Sequence, residues 1–237
     1  MYRIKFAILI CTLFMALSCA HRSGHKKQDE FVHKTFPSVR ATPREEPSVD
    51  GSVLDGSEIF KRYNRAVFMV YTTDGSNVYQ GSGFFVGKNG LAVSNYHVFK
   101  GTGIGEEEIK MPNDDTAYKI TEIIKRSDNE DFIIFRVDCD NDTYIPIATD
   151  RPEIGQRVFA IGSPRGLQNT FSSGEVSQWR GENLMQISAL IDHGSSGGAL
   201  INEFGEVVGI TTGTFADGSQ ANLNYAWSID VVKPYLH

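Results

Sequence analysis

The stretch Ile191-Asp192-His193-Gly194-Ser195-Ser196-Gly197-Gly198-Ala199-Leu200 sets a serine in a run of glycines and follows it at once with apolar residues that read as a strand. Glycine has no Cβ, so the backbone can turn tightly here and leave amide N–H groups near Ser196 bare and convergent. Such groups can stabilise the oxyanion that forms when a serine hydroxyl attacks a carbonyl. The same string also suits an ordinary Gly/Ser turn between two strands. Residues elsewhere in the chain decide between the two readings.

Outward from this stretch the chain reads as short strands punctuated by turns. The strands expected are 66–72, 78–86, 91–94, 107–111, 118–124, 132–137, 158–161, 170–179, 184–188, 199–201, 207–212 and 222–229. Turn signals such as Asp74-Gly75, Lys88-Asn89-Gly90 and Asp217-Gly218 separate them. So many strands with almost no helix mean an all-β barrel or sandwich. A short helix precedes them. Ser57 is the candidate N-cap, and Ile59, Phe60, Tyr63 and Val67 fall at helical spacing. A second short helix is expected at Asp230 to Leu236, with Pro234 near its first turn or past its end.

A serine hydroxyl is a poor nucleophile until a base takes its proton. After the leader and spacer described below, the histidines are His97, His193 and His237. His97 ends the strand Ala92-Val93-Ser94-Asn95-Tyr96-His97 and enters a Gly-rich loop, where a rigid strand can place a reactive side chain. His193 lies only three residues before Ser196, and His237 is the last residue. The imidazole needs a carboxylate on its other nitrogen. Asp131 opens the buried-looking strand Phe132-Ile133-Ile134-Phe135-Arg136-Val137, with Asp128 and Asp138 as weaker candidates. Gly194 to Gly198 also satisfies the G-x-S-x-G elbow of the α/β-hydrolases. That fold needs the acid and then the histidine after the serine, in a strand–turn–helix setting. Here histidine, aspartate and serine follow in that order, and strands follow the serine.

Several segments together resemble the trypsin-like proteases of the HtrA type. They are Gly81-Ser82-Gly83-Phe84-Phe85-Val86, Val93-Ser94-Asn95-Tyr96-His97-Val98, Asp131-Phe132-Ile133-Ile134 and 158–167. Ser173-Gly174-Glu175-Val176-Ser177, 194–200 and Gly205-Glu206-Val207-Val208-Gly209-Ile210 complete the set, in family order from about residue 57 onward. The resemblance implies two six-stranded antiparallel β-barrels, as in chymotrypsin, with the active site between them. It implies a triad of His97 and Asp131 from the first barrel and Ser196 from the second. The amides of Gly194 and Ser196 would form the oxyanion hole. Polypeptides are the implied substrates, and no cofactor or metal is implied. Ser195 stands where the family commonly has asparagine and Ala199 where it has proline, and the motif register selects Ser196 as nucleophile. The family's usual C-terminal PDZ domain has no counterpart in the sequence. By the same register Leu190 lies near the base of the primary specificity pocket, with Thr212, Thr214 and Ala226 on its walls. None is charged, so an apolar residue is expected before the scissile bond.

Composition limits the alternatives. A formal charge of −6 with no basic block argues against nucleic acid as a partner. Arg3 and Lys5 precede an apolar run from Phe6 to Leu17, shorter than the roughly 20 residues that span a bilayer. Two cleavage readings fit. In one, Ala16-Leu17-Ser18 forms a lipoprotein box before an acylated Cys19; in the other, ordinary signal peptidase cuts after Ser18-Cys19-Ala20. The first is preferred, because a cysteine just after an apolar leader is otherwise uncommon. Residues 1–19 are thus read as a signal peptide, 20–55 as a polar, proline-broken tether and 56–237 as the folded domain. Export to the periplasm or cell envelope follows, with membrane attachment through Cys19. Cys139 is then the only cysteine in the folded part and forms no intrachain bridge there. The reading reached is a serine endopeptidase of envelope protein processing or quality control. A catalytically silent, protease-like scaffold is the alternative, and the full set of histidine, aspartate and serine argues against it.

Overall fold

Burial in the computed structural model explains why several strands read as unbroken apolar runs. The structure describes residues 52–103, 105–163, 169–214 and 223–236. The leader, Cys19, the tether up to residue 51, part of the 158–167 segment, the 217–218 turn and His237 lie outside the described residues. In β7 (Phe132–Val137) successive side chains go to different cores. Ile133, Phe135 and Val137 enter a cluster with Phe68, Val70, Phe85, Ala92 and Phe99. Phe132 and Ile134 enter another with Phe84, Val93, Phe159, Ile161, Ala199, Ile201 and Ile210. A strand buried on both faces has no polar alternation to show.

Among the described residues thirteen strands form two sheets. The first comprises β1 (Val67–Thr73), β2 (Val78–Phe85), β3 (Leu91–Ser94), β4 (Glu108–Lys110), β5 (Ala117–Tyr118), β6 (Ile120–Ser127) and β7. Their order is β5-β4-β1-β2-β3-β7-β6. The second comprises β8 (Arg157–Gly162), β9 (Thr170–Arg180), β10 (Leu184–Ile187), β11 (Ala199–Asn202), β12 (Val207–Thr214) and β13 (Asn224–Ser228). It closes into a barrel in the order β10-β13-β12-β11-β8-β9. The all-β, two-sheet reading therefore stands, with one correction: only the second sheet is a closed six-stranded barrel. The first is a seven-stranded open sheet. Its last strand, β6, is a half-buried edge with two register irregularities against β7, and the strand expected at 118–124 divides at Lys119 into β5 and β6.

Three local expectations are corrected. Helix α1 spans Gly56–Tyr63 and is capped by Asp55, not Ser57. Asp55 and Glu58 each accept a hydrogen bond from the other's backbone amide, at 2.9 Å, which makes a capping box. Packing on the domain also includes residues before 56: Leu54 is buried and its amide bonds to the Glu203 carbonyl at 2.8 Å. The expected C-terminal helix is two separate 3-10 turns, Ile229–Val231 and Lys233–Tyr235. Pro234 is the second residue of the second turn, where its missing N–H is harmless but cannot extend an earlier helix.

Ile59 and Tyr63 of α1 join the cluster shared by both sheets, so this seam fixes how the two halves face each other. Each fully buried Phe or Ile contributes roughly 1.5–3 kcal/mol.

Candidate active site

Strand pairing, not sequence proximity, brings His97 to Asp131. Antiparallel β3 and β7 are neighbours with Ser94 opposite Ile133, so the end of β3 lies beside the start of β7. After β3 the chain makes a 3-10 turn, Tyr96–Val98, and does not enter the Gly-rich loop directly. Buried neighbours fix this turn. Val98 and Phe99 face the first-sheet core, and the Phe99 ring lies 5.6 Å from that of Phe135. His97 itself is exposed to the cleft.

Asp131 is the last residue of the turn joining β6 to β7 and has φ of 47°, in the left-handed region that aspartate tolerates better than most side chains. Its Oδ1 accepts the backbone N–H of His97 at 2.8 Å, and its Oδ2 lies 2.8 Å from His97 Nδ1. An ionised carboxylate only accepts, so Nδ1 carries the proton and Nε2 is left with its lone pair. Thr212 in β12 donates its hydroxyl to the same Oδ2 at 3.0 Å. Asn95, fully buried, donates its side-chain amide to the Asp131 carbonyl at 2.8 Å.

Ser196 comes from the loop before β11. His97, Ser196, Gly194, His193, Thr212 and Gly213 line one cleft of about 570 Å³, together with Tyr79, Gln80 and Lys100. Among the described residues no hydrogen bond joins His97 to Ser196, a contact that often tightens only when substrate arrives. Ser196 Oγ stands beside Gly213, 3.5 Å from where a Cβ on that glycine would sit.

The loop amides divide into two sets. Ser195 donates to the Asp192 carbonyl at 2.9 Å, Gly197 to Thr211 at 2.8 Å and Gly198 to Ser195 at 3.0 Å. Those of Gly194 and Ser196 make no backbone hydrogen bond among the described residues. Gly194 has φ of 92°, which an L side chain rarely adopts. Two unused donors flanking a hydroxyl can hold a developing oxyanion.

Of the residues expected around a specificity pocket, only Thr212 lines this cleft, and its hydroxyl is turned to Asp131. Leu190 is corrected: it is 67% exposed and does not line the cleft, leaving its carbonyl to accept Ser172 Oγ at 2.8 Å. Ala226 is buried in the core of the second barrel. Thr214 lies in β12, and its side chain is outside the described residues. His193 is exposed in the cleft. Sequence reasoning gave no role to Asn95 or Ser82 and took Thr212 for a pocket wall. Nothing in the strand Val78–Phe85 sets Ser82 apart, because it stands between two glycines and close to Gln80.

The profile of the trypsin-like peptidase domain matches residues 81–210. A probable periplasmic serine endoprotease, DegP-like, of Rhizobium meliloti is 33% identical over 165 residues, 65% of this chain and 32% of that protein. The serine protease HTRA1A of Danio rerio is 33% identical over 181 residues, 71% of this chain and 36% of that protein. The chain spans about a third of the length of most of the curated relatives it matches. The crystal structure of the serine endoprotease from Yersinia pestis superposes with a TM-score of 0.68 at 27% identity, over 80% of this chain and 66% of that one. The active form of an M. tuberculosis protease superposes with the same TM-score of 0.68 at 18% identity, over 84% of this chain and 93% of that one, a likeness of fold.

Proposed function

From the premise that this chain belongs to the trypsin-like peptidase family, we propose that it is a serine endopeptidase acting through His97, Asp131 and Ser196. The observation that carries the reading is the Asp131–His97 pair at 2.8 Å opening on the same cleft as Ser196. In this mechanism Ser196 Oγ attacks the peptide carbonyl carbon while His97 Nε2 takes its proton. The carbonyl electrons move to oxygen, and the amides of Gly194 and Ser196 hold the charge. The intermediate collapses, the C–N bond breaks, and the imidazolium gives its proton to the leaving amine. Water then attacks the acyl ester with His97 again as base, releasing the acid and restoring the hydroxyl. Asp131 keeps the imidazole in the required tautomer throughout.

The test is hydrolysis of a broad peptide mixture, read by mass spectrometry for new termini. The native chain should cut and the Ser196→Ala chain should not. Equal cutting by both, or none by the native chain, would overturn the reading, and the second outcome would favour the silent scaffold.

We propose further that the protein works in the periplasm or cell envelope on misfolded or maturing polypeptides. Support comes from the basic and apolar leader and from the periplasmic designations of the DegP-like relatives of Rhizobium meliloti and Halomonas elongata. In this reading Cys19 is acylated, and residues 20 to about 51 act as a spacer. Cys19→Ser should move the protein from the membrane fraction to the soluble one. An unchanged distribution would favour cleavage after Ala20.

A further inference from the structure

The loop that carries the nucleophile is gripped from the other sheet by one buried side chain. Ser82, in β2, is fully buried. Its hydroxyl donates to the Gly194 carbonyl at 2.7 Å and accepts the Ser163 N–H at 2.9 Å. These roles are unambiguous, because a carbonyl only accepts and an amide N–H only donates. The Ser82 backbone N–H also donates to the Ser196 carbonyl at 2.8 Å, and its own carbonyl accepts Ser94 Oγ at 2.6 Å. One residue of the first sheet therefore holds the carbonyls of both residues whose amides are left unused in the cleft.

We infer that Ser82 is a positioning residue that sets the oxyanion hole, by pinning the peptide units that follow Gly194 and Ser196 and so anchoring the two Cα positions that carry the N–H groups of the cleft. The inference rests on the serine endopeptidase reading above and deepens it. Gly194, with φ of 92°, has freedom to rotate, and a rotation there turns its N–H relative to its carbonyl. Holding the carbonyl from the opposite sheet anchors one side of that hinge, so that only the His193–Gly194 peptide is left to turn. The Ser163 N–H, just past the end of β8, fills the acceptor side of the hydroxyl and leaves its proton aimed at the Gly194 carbonyl. Ser82 touches no substrate atom in this scheme; it acts through the loop.

The experiment compares the native chain with Ser82→Ala on a peptide the native chain cleaves. Rates are normalised to active sites counted by end-point fluorophosphonate labelling, and a peptidyl aldehyde serves as the probe that forms a tetrahedral adduct. Losing a direct oxyanion donor costs about 10²–10³ in kcat. An indirect support should cost roughly 10–100-fold in kcat, with KM changed less than about 2-fold and aldehyde affinity falling in parallel. A product peptide, which makes no oxyanion, should bind as before. A merely structural serine would lower the number of labelled sites and leave kcat per site alone, and that result overturns the inference. So does a loss carried by KM. If the alanine chain does not fold, Ser82→Cys keeps the shape, weakens the donor and is read by the same criteria. A native chain that neither cleaves peptide nor takes the fluorophosphonate overturns the endopeptidase reading and this inference together. A reactive native chain matched by Ser82→Ala overturns the inference alone.

Discussion

Asp131 is held by the His97 backbone and ring, by Thr212 and, through its carbonyl, by Asn95. Asp131→Asn keeps the shape but offers an amide where His97 Nδ1–H needs an acceptor, so the wrong tautomer is favoured. kcat should fall about 10⁴-fold with the fold intact by circular dichroism; a fall under about 10-fold would mean the carboxylate is only structural. The neighbouring serines separate in the same way. Ser196→Ala should lose on the order of 10⁶ in kcat, whereas Ser195→Ala, which keeps the backbone bonds of residue 195, should stay within about 10-fold. Equal damage from both would move the nucleophile. Cys139 has its thiol pushed up to about 11, first by burial and then by the Asp138 and Asp140 carboxylates. Alkylation by iodoacetamide at pH 8 should be at least about 10-fold slower than for free cysteine, and a normal rate would contradict that environment. His97, Asp131 and Ser196 were legible as candidates because each is a reactive type beside a strand end. Ser82 and Thr212 were not, since a hydroxyl in a strand is commonplace until its partner in the other sheet is known.

Elements were readable wherever one physical signal dominated. The continuous apolar run of β7 gave a strand, and the structure adds that its two faces serve two cores. The cap of α1 was misread because Asp55 and Ser57 are both good caps within one turn; Glu58, three residues after Asp55, decides for Asp55. The nucleophile loop lies close against the first sheet. A Cβ on Gly197 would lie 2.2 Å from the Ser82 carbonyl oxygen and 2.3 Å from Ser94 Oγ, at a φ of 88°. Gly197→Ala should therefore displace the loop from β2 and β3, costing about 2–4 kcal/mol in urea unfolding and most of the activity. A variant as stable as the native chain would show that the loop does not depend on this close approach.

At the scale of the molecule, the list of strands was legible and their closure was not. Which strands pair, and whether a sheet seals, depends on edges such as β6, whose register is irregular and whose side chains are only partly buried. The C-terminal segment is tied to the rest by Asp230, which bonds to Arg151 and, at 2.6 Å, to Lys233. Burial pulls the Asp230 carboxyl upward, but the hydrogen bonds and charges of Lys233 and Arg151 outweigh it and hold the group below its ordinary value. A depressed folded value means the stabilisation is present above the unfolded carboxylate value of about 3.9 and is lost as pH falls through the folded one. Asp230→Asn should thus cost about 0.5–1 kcal/mol at pH 7, and the gap from the native chain should close as the pH drops below about 4. A gap independent of pH would mean the carboxylate's charge is not what matters.

The account depends on a cleft between two sheets that makes one hydroxyl reactive. Labelling with a fluorophosphonate, followed by peptide mapping, tests this most directly. The adduct should sit on Ser196 and be absent from Ser195, and His97→Ala should abolish it; an adduct elsewhere, or labelling that survives loss of the imidazole, would contradict the account.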